Sequence, residues 1–207
     1  MHKIKVLGVG PGSPDYLPPL IMEQARQCDL LVGGQRNLKL FDIPGQEQVE
    51  IKGKLAPILE IIRDKATICQ VGILVSGDAG IYSILPRLVE VFGRQALEVY
   101  PGISAVQYMF ARLGLTWQDA RFLSLHGREL DDLLGVIASE KKVVLFTDQK
   151  NSPAVVCRAL AEGGVRNKLV YVGEDLSYPQ EKISSGNLED FFKFKGSDLN
   201  LVVIVDE

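Results

Sequence analysis

Apolar runs rich in β-branched residues recur along this chain at 4–9, 30–33, 72–76, 97–100, 121–125, 143–147, 168–172 and 199–205. Between them lie segments that carry the helical period instead, at 19–27, 55–65, 81–92, 104–113, 130–139 and 153–162. Leu55, Ile58, Leu59 and Ile62, for example, fall at the i, i+3, i+4, i+7 spacing of one buried helical face. Runs such as Val71-Gly72-Ile73-Leu74-Val75 show no polar alternation, which predicts strands covered on both faces in a mostly parallel sheet. Parallel neighbours must be joined by crossovers, and the helical segments supply them, so the pattern predicts an α/β architecture with right-handed connections. Gly163-Gly164 predicts the end of the last long helix.

The final third departs from this alternation. A short strand at 180–185, a short helix at 187–192 and a terminal strand ending in Val202-Val203-Ile204-Val205 predict a return that makes a second sheet mixed. Glycine and polar residues at 114–119 interrupt two regular elements, which divides the chain into expected α/β domains at 1–114 and 115–207.

Composition narrows the partners. A formal charge of −3 provides no basic field to draw nucleic acid or an anionic membrane. No apolar run reaches the ~20 residues that span a bilayer, and the first residues lack a signal-peptide pattern, so a cytoplasmic location is expected. The three cysteines, Cys28, Cys69 and Cys157, are odd in number and widely spaced, and they read as reduced thiols. With only His2 and His126 as histidines, no zinc site of paired Cys and His is expected, nor any protein-bound metal.

Ligands of open α/β sheets bind beyond the carboxyl ends of the strands, so the loops there carry the functional reading. After the first strand comes Gly8-Val9-Gly10-Pro11-Gly12-Ser13-Pro14-Asp15. A dinucleotide fingerprint fails on its details, because the third glycine would fall on Ser13 or on Asp15. Pro11 and Pro14 also remove amide donors, and Gly33-Gly34 stands where a ribose-binding acid would be needed. The loop still offers close backbone approach to a ligand. Next comes Ser76-Gly77-Asp78-Ala79-Gly80-Ile81-Tyr82, in which Asp78 either caps the following helix or takes a polar group of a ligand. Pro101-Gly102-Ile103-Ser104-Ala105 places a good N-cap, Ser104, at the same edge. Further on, His126-Gly127-Arg128, Thr147-Asp148 and Gly173-Glu174-Asp175 each follow a strand.

Taken in order, four segments resemble the tetrapyrrole (corrinoid) methylase family: VLGVGPGSPDYL at 6–17, LVSGDAGIYS at 74–83, YPGISAVQ at 100–107 and VGEDLSYPQEKISSGNLEDF at 172–191. VGGQRNLKLF at 32–41 and ARLGLTWQDARFLSLHGR at 111–128 resemble its C5-methylating branch. The resemblance covers essentially the whole chain. It implies two α/β domains with a cleft between them, and S-adenosylmethionine-dependent methylation at carbon 5 of a corrin precursor. The step in cobalamin biosynthesis would convert cobalt-precorrin-6B to cobalt-precorrin-7.

Carried over residue by residue, the cofactor contacts fall at Val9, Pro11, Gly77, Asp78, Ile81, Ser104 and Ala105, and further at Thr147, Gly173 and Glu174. One departure is Ala79, where many members of the family have proline. A substrate bearing several carboxylates calls for guanidinium partners, and Arg36, Arg112 and Arg128 are the candidates. His126 and Tyr82 are the candidates for handling a proton. The resemblance also implies a homodimer and association with a separate decarboxylating C15-methyltransferase. Three other readings stand beside it: a methylase of the same fold with another tetrapyrrole carbon or a protein as substrate, a nicotinamide-dependent dehydrogenase, and a non-catalytic protein that binds S-adenosylmethionine or a corrinoid.

Overall fold

The computed structural model describes residues 2–206. Its compact units divide after Ser104, and each has its own sheet and core.

The first unit contains β1 (Ile4–Gly8), α1 (Pro19–Arg26), β2 (Leu30–Gly33), α2 (Gln35–Leu38), β3 (Glu47–Glu50), α3 (Leu55–Lys65), β4 (Val71–Val75), α4 (Leu85–Phe92) and β5 (Leu97–Tyr100). The strands form one sheet in the order β3-β2-β4-β1-β5, and every pairing is parallel. β1 and β4 are buried along their whole length, which is why β4 is an unbroken apolar run and β1 departs from one only at Lys5. Alternate side chains serve opposite faces. Ile4, Val6, Val32, Ile73 and Val75 pack with Ile58, Leu59 and Ile62 of α3 and with Leu88 of α4. Leu7, Leu31 and Leu74 pack with Ile21 and Ala25 of α1, and with Leu38 and Phe41. Lys5 shares the sheet interior at 7% exposure, and its ammonium donates to Gln24 Oε1 and Gln27 Oε1 at 2.7 Å each.

The second unit contains α5 (Ala105–Leu113), β6 (Arg121–Ser124), α6 (Asp131–Ser139), β7 (Lys142–Phe146), α7 (Pro153–Glu162), β8 (Lys168–Glu174), β9 (Lys182–Asn187) and β10 (Asn200–Asp206). Its order is β6-β7-β10-β8-β9, with β6 parallel to β7 and the other pairs antiparallel, so this sheet is mixed. The terminal strand runs through its middle. Val202 and Ile204 face the core made with Ile137 of α6 and Val156, Cys157 and Leu160 of α7. Leu201 and Val203 face the other way, against Val106, Met109 and Phe110 of α5.

That second core explains where the units divide. The sequence boundary at 114/115 follows the glycine after α5, whereas the apolar face of α5 is buried among Val144, Leu176, Leu201 and Val203, so the helix belongs to the second unit. Two small elements go beyond the sequence reading. β3 is a mostly exposed edge strand with one apolar residue, Val49, and α2 is a single turn. α4 begins at Leu85 rather than at 81, with Ser83 Oγ accepting the Leu85 amide at 3.0 Å. The expected short helix near 187–192 is a 3₁₀ turn at Leu188–Phe191, capped reciprocally by Asn187 and Asp190. α7 ends at the Gly163-Gly164 pair as expected, with Gly164 at φ +80°. Among the described residues no helix is long and apolar enough to cross a membrane.

Phe110 is fully buried against the second sheet. Phe110→Ala is expected to lower stability by ~3–5 kcal/mol in denaturant titration. Loss of amide protection concentrated in β7 and β10, with β1 and β4 little affected, would accompany it.

Candidate functional site

In the first sheet β4, β1 and β5 are adjacent and parallel, so the loops at 8–17, 76–84 and 101–104 leave the sheet side by side. Their backbones meet directly. A Cβ on Gly8 would stand 2.5 Å from the Gly102 nitrogen and 2.9 Å from the Gly77 oxygen. One on Gly102 would stand 2.2 Å from the Gly77 oxygen and 2.5 Å from that of Gly8. Both approaches are far inside van der Waals contact, so no other residue type fits without moving backbone. Gly10 and Gly77 form a two-bond bridge, with Gly77 N donating to Gly10 O at 2.7 Å and Gly10 N to Gly77 O at 3.3 Å. Both glycines have positive φ, +85° and +65°, which the bridge geometry requires.

Asp78 completes the junction. Its Oδ1 accepts the Gly80 amide at 2.8 Å and its Oδ2 accepts the Gly102 amide at 3.1 Å. It therefore ties two loops together and does not cap α4, which starts seven residues later at Leu85. The glycines that the sequence offered to a ligand are largely taken up by one another. Val9 is 1% exposed, and its amide donates to Val75 O at 2.9 Å. Pro11 and Ile81 are half-buried, and Ser104, at 2% exposure, immediately precedes Ala105, where α5 begins. Tyr82 is 47% exposed and has φ +42°, a conformation costly for a bulky side chain. Arg36 is exposed on α2. The sequence reading missed its neighbour Asn37, which donates to Leu74 O at 3.5 Å and accepts from Ser76 Oγ at 3.1 Å, holding the exit of β4. Only the local Arg-Asn-Leu turn would have pointed to it.

In the second sheet β6, β7 and β8 end at the edge where β10 begins. His126 and Arg128 are exposed in the loop after β6. That loop is pinned by Asn151, a buried residue that motif reasoning did not single out; its Nδ2 donates to Leu125 O and Arg128 O at 3.3 Å each. Thr147, 3% exposed, donates its hydroxyl to Asn200 Oδ1. Gly173 is buried under Leu176 and Met109, each 2.7 Å from where a Cβ would stand. Glu174, 6% exposed, accepts the Ser197 amide through Oε1 at 2.8 Å.

Arg112 lies elsewhere, on the last turn of α5, where its Nε donates to Glu181 Oε1 at 3.1 Å. Burial raises the Glu181 pKa, but hydrogen bonds from the Tyr108 hydroxyl and the Ser177 amide, together with the Arg112 charge, outweigh it and hold the carboxyl below its usual range. The thiols are quiet: burial pushes Cys28 up to about 11 and Cys157 up to about 12, far from thiolate at neutral pH.

Gly102→Ala is expected to destabilise the first unit by more than the ~1–3 kcal/mol of ordinary overpacking, because its contacts are backbone and cannot rotate away. Thermal unfolding of the variant checks this. The depressed Glu181 carboxyl contributes stability that is complete above the ordinary carboxylate range and is lost as pH falls through its folded value. Acid unfolding of Glu181→Gln should accordingly lack part of the wild-type slope.

The sequence profile of the tetrapyrrole (corrin/porphyrin) methylases matches residues 3–191. The chain is 33% identical over 211 residues to the cobalt-precorrin-7 C(5)-methyltransferase of Salmonella typhimurium, covering 99% of each chain. Among solved structures, a cobalt precorrin-4 methyltransferase superimposes with a TM-score of 0.81 at 20% identity, covering 98% of this chain and 94% of the other. The Thermus thermophilus uroporphyrin-III C-methyl transferase complexed with S-adenyl homocysteine gives 0.77 at 20% identity, over 98% and 92%. The fold is thus shared at low identity, and the profile and the near-complete sequence likeness together show that this chain belongs to the tetrapyrrole methylase family.

Proposed function

We propose that this protein transfers a methyl group from S-adenosylmethionine to carbon 5 of cobalt-precorrin-6B, giving cobalt-precorrin-7 in cobalamin biosynthesis. The observation that carries this reading is the 33% identity over 99% of both chains to a cobalt-precorrin-7 C(5)-methyltransferase. The glycine junction supports it, since its prolines and its Gly10–Gly77 bridge differ from a dinucleotide-binding turn.

The sulfonium donor, when bound, supplies an already electrophilic methyl group. The protein's work is then positioning, which by itself lowers such a barrier substantially when reacting atoms are held within ~3–3.5 Å. The segments around Val9, Pro11, Gly77, Asp78, Ile81, Ser104 and Ala105 are proposed to hold the donor, as are Thr147, Gly173 and Glu174. Rigidity suits that role. Asp78 fixes two loops at once, so small side-chain motions do not blur the loop positions. No nucleophile is required, in keeping with thiols whose burial keeps them protonated. Arg36 and Arg128 are exposed and suited to pair with substrate carboxylates, whereas the Nε of Arg112 is already engaged by Glu181. His126 and Tyr82, both exposed, are the proposed proton-handling groups. A homodimer, a cytoplasmic location and hand-over of product to a separate decarboxylating C15-methyltransferase complete the proposal.

Calorimetric titration with S-adenosylhomocysteine and, in parallel, with NAD tests the donor. Binding of the first alone supports the reading, and binding of NAD alone overturns it. Incubation with cobalt-precorrin-6B and labelled donor then tests the reaction: label at C5 with release of S-adenosylhomocysteine is expected. Tight donor binding without turnover would make the protein a carrier or sensor instead.

A further inference from the structure

Beyond β6 the exposed residues His126, Gly127, Arg128 and Glu129 lie between two buried leucines, Leu125 and Leu130, which both pack into the core of the second unit. This stretch closes on itself. The Arg128 amide donates to Leu125 O at 3.1 Å, and the His126 amide donates to Ser124 Oγ at 3.4 Å. Gly127 takes left-handed backbone at φ +69°. These contacts shape the turn, but they come from the turn and from its own strand. They leave its tilt against the neighbouring loop unset.

Asn151, in the connection between β7 and α7, supplies that constraint. It is 2% exposed, and its side-chain amide donates at 3.3 Å to both Leu125 O and Arg128 O, the carbonyls at the two ends of the turn. A planar amide that gives one N–H to each of two peptide groups holds them in one relative orientation. The backbone amide of the same residue donates to Asp148 Oδ1 at 2.7 Å, so Asn151 joins the turn to the segment that begins at Thr147. Lys150 and Glu129 pair across the same two loops, but their side chains are 65% and 70% exposed, where an ion pair contributes little.

We propose that Asn151 is a positioning residue for methyl transfer. By orienting the turn at 125–128 against the Thr147–Asp148 segment, it sets where the His126 imidazole and the Arg128 guanidinium stand. This rests on the methyltransferase reading, which puts those two side chains at the substrate. Asn151→Ala is the discriminating variant, because the backbone bond to Asp148 survives while both bonds to the turn are lost.

With cobalt-precorrin-6B as substrate, Asn151→Ala is expected to lower kcat/KM ~100-fold, the loss that follows a displacement of reacting groups by about 1 Å. Its affinity for S-adenosylhomocysteine, by calorimetry, should stay within ~2-fold of wild type. Glu129→Gln, which cuts the exposed ion pair between the same loops, should change neither quantity by more than ~2-fold. Amide nitrogen relaxation gives a readout independent of turnover. Order parameters at 126–128 of about 0.85 in wild type should fall below ~0.6 in Asn151→Ala, with β6 and β7 unchanged. Values that stay above ~0.6 in the variant, or lie below it already in wild type, overturn the inference. A kcat/KM within ~2-fold of wild type does so as well. Equal losses in kcat/KM and in S-adenosylhomocysteine affinity also overturn it, by making Asn151 a general support of the unit. Should Asn151→Ala fail to fold, Asn151→Ser, with one donor in place of two, takes its place in each comparison. A wild type that leaves cobalt-precorrin-6B unmethylated removes the methyltransferase reading, while the relaxation result still decides whether Asn151 orders the turn.

Discussion

At the carboxyl edge of the first sheet the peptide groups of Gly8, Gly77 and Gly102 lie against one another with no space for a Cβ between them. The loops leaving β1, β4 and β5 are therefore not independent. Moving one displaces the others, and Asp78 adds a charged tie by accepting amides from two of them. Such a junction holds polar backbone without flexible side chains. It suits a reaction in which alignment, rather than a reactive residue, lowers the barrier.

The same economy is visible at the corresponding edge of the second sheet, built differently. There the terminal strand β10 runs antiparallel between β7 and β8, so that Asn200 enters beside Thr147 and Glu174. Hydrogen bonds link Thr147 to Asn200, the Asn200 side chain to the Ser197 carbonyl, and the Ser197 hydroxyl to Asp175. Against that matched set, Glu174 Oε2 is buried without a hydrogen-bond partner among the described residues. Conformational cost concentrates there too, in the left-handed Asp175 and Ser177.

Much of the scaffold was legible because it rests on local pattern. A fully buried strand such as β4 is apolar throughout and announces itself as an unbroken run, and β1 departs from that only at Lys5, whose ammonium is satisfied by Gln24 and Gln27. β3 did not, since an exposed edge strand of Glu47, Gln48, Val49 and Glu50 has almost nothing to bury and exists because β2 offers it a partner. The start of α4 was misread for a related reason: apolar periodicity extends back to Ile81, but the Asp78 turn and the backbone of Tyr82 hold 81–84 out of the helix. Motifs around Gly8, Asp78 and Ser104 marked the loops of interest. Their spacing gave no hint that Asn37 and Asn151 would secure neighbouring segments, because those contacts join residues 37 and 26 positions apart.

Two matters were therefore settled by the chain's own order of residues: the α/β class, with a parallel and a mixed sheet, and membership of the methylase family. Both depend on periodicity and on motifs read along the chain. Three others were decided only in tertiary structure. The glycines serve loop-to-loop contact, since what a missing Cβ makes room for depends on which backbone arrives there. α5 joins the second unit, because its apolar face is satisfied by Leu201 and Val203 nearly a hundred residues later. Among the described residues Glu174 keeps one oxygen without a partner, because burial and hydrogen-bond satisfaction are properties of the packed whole and not of any segment of it.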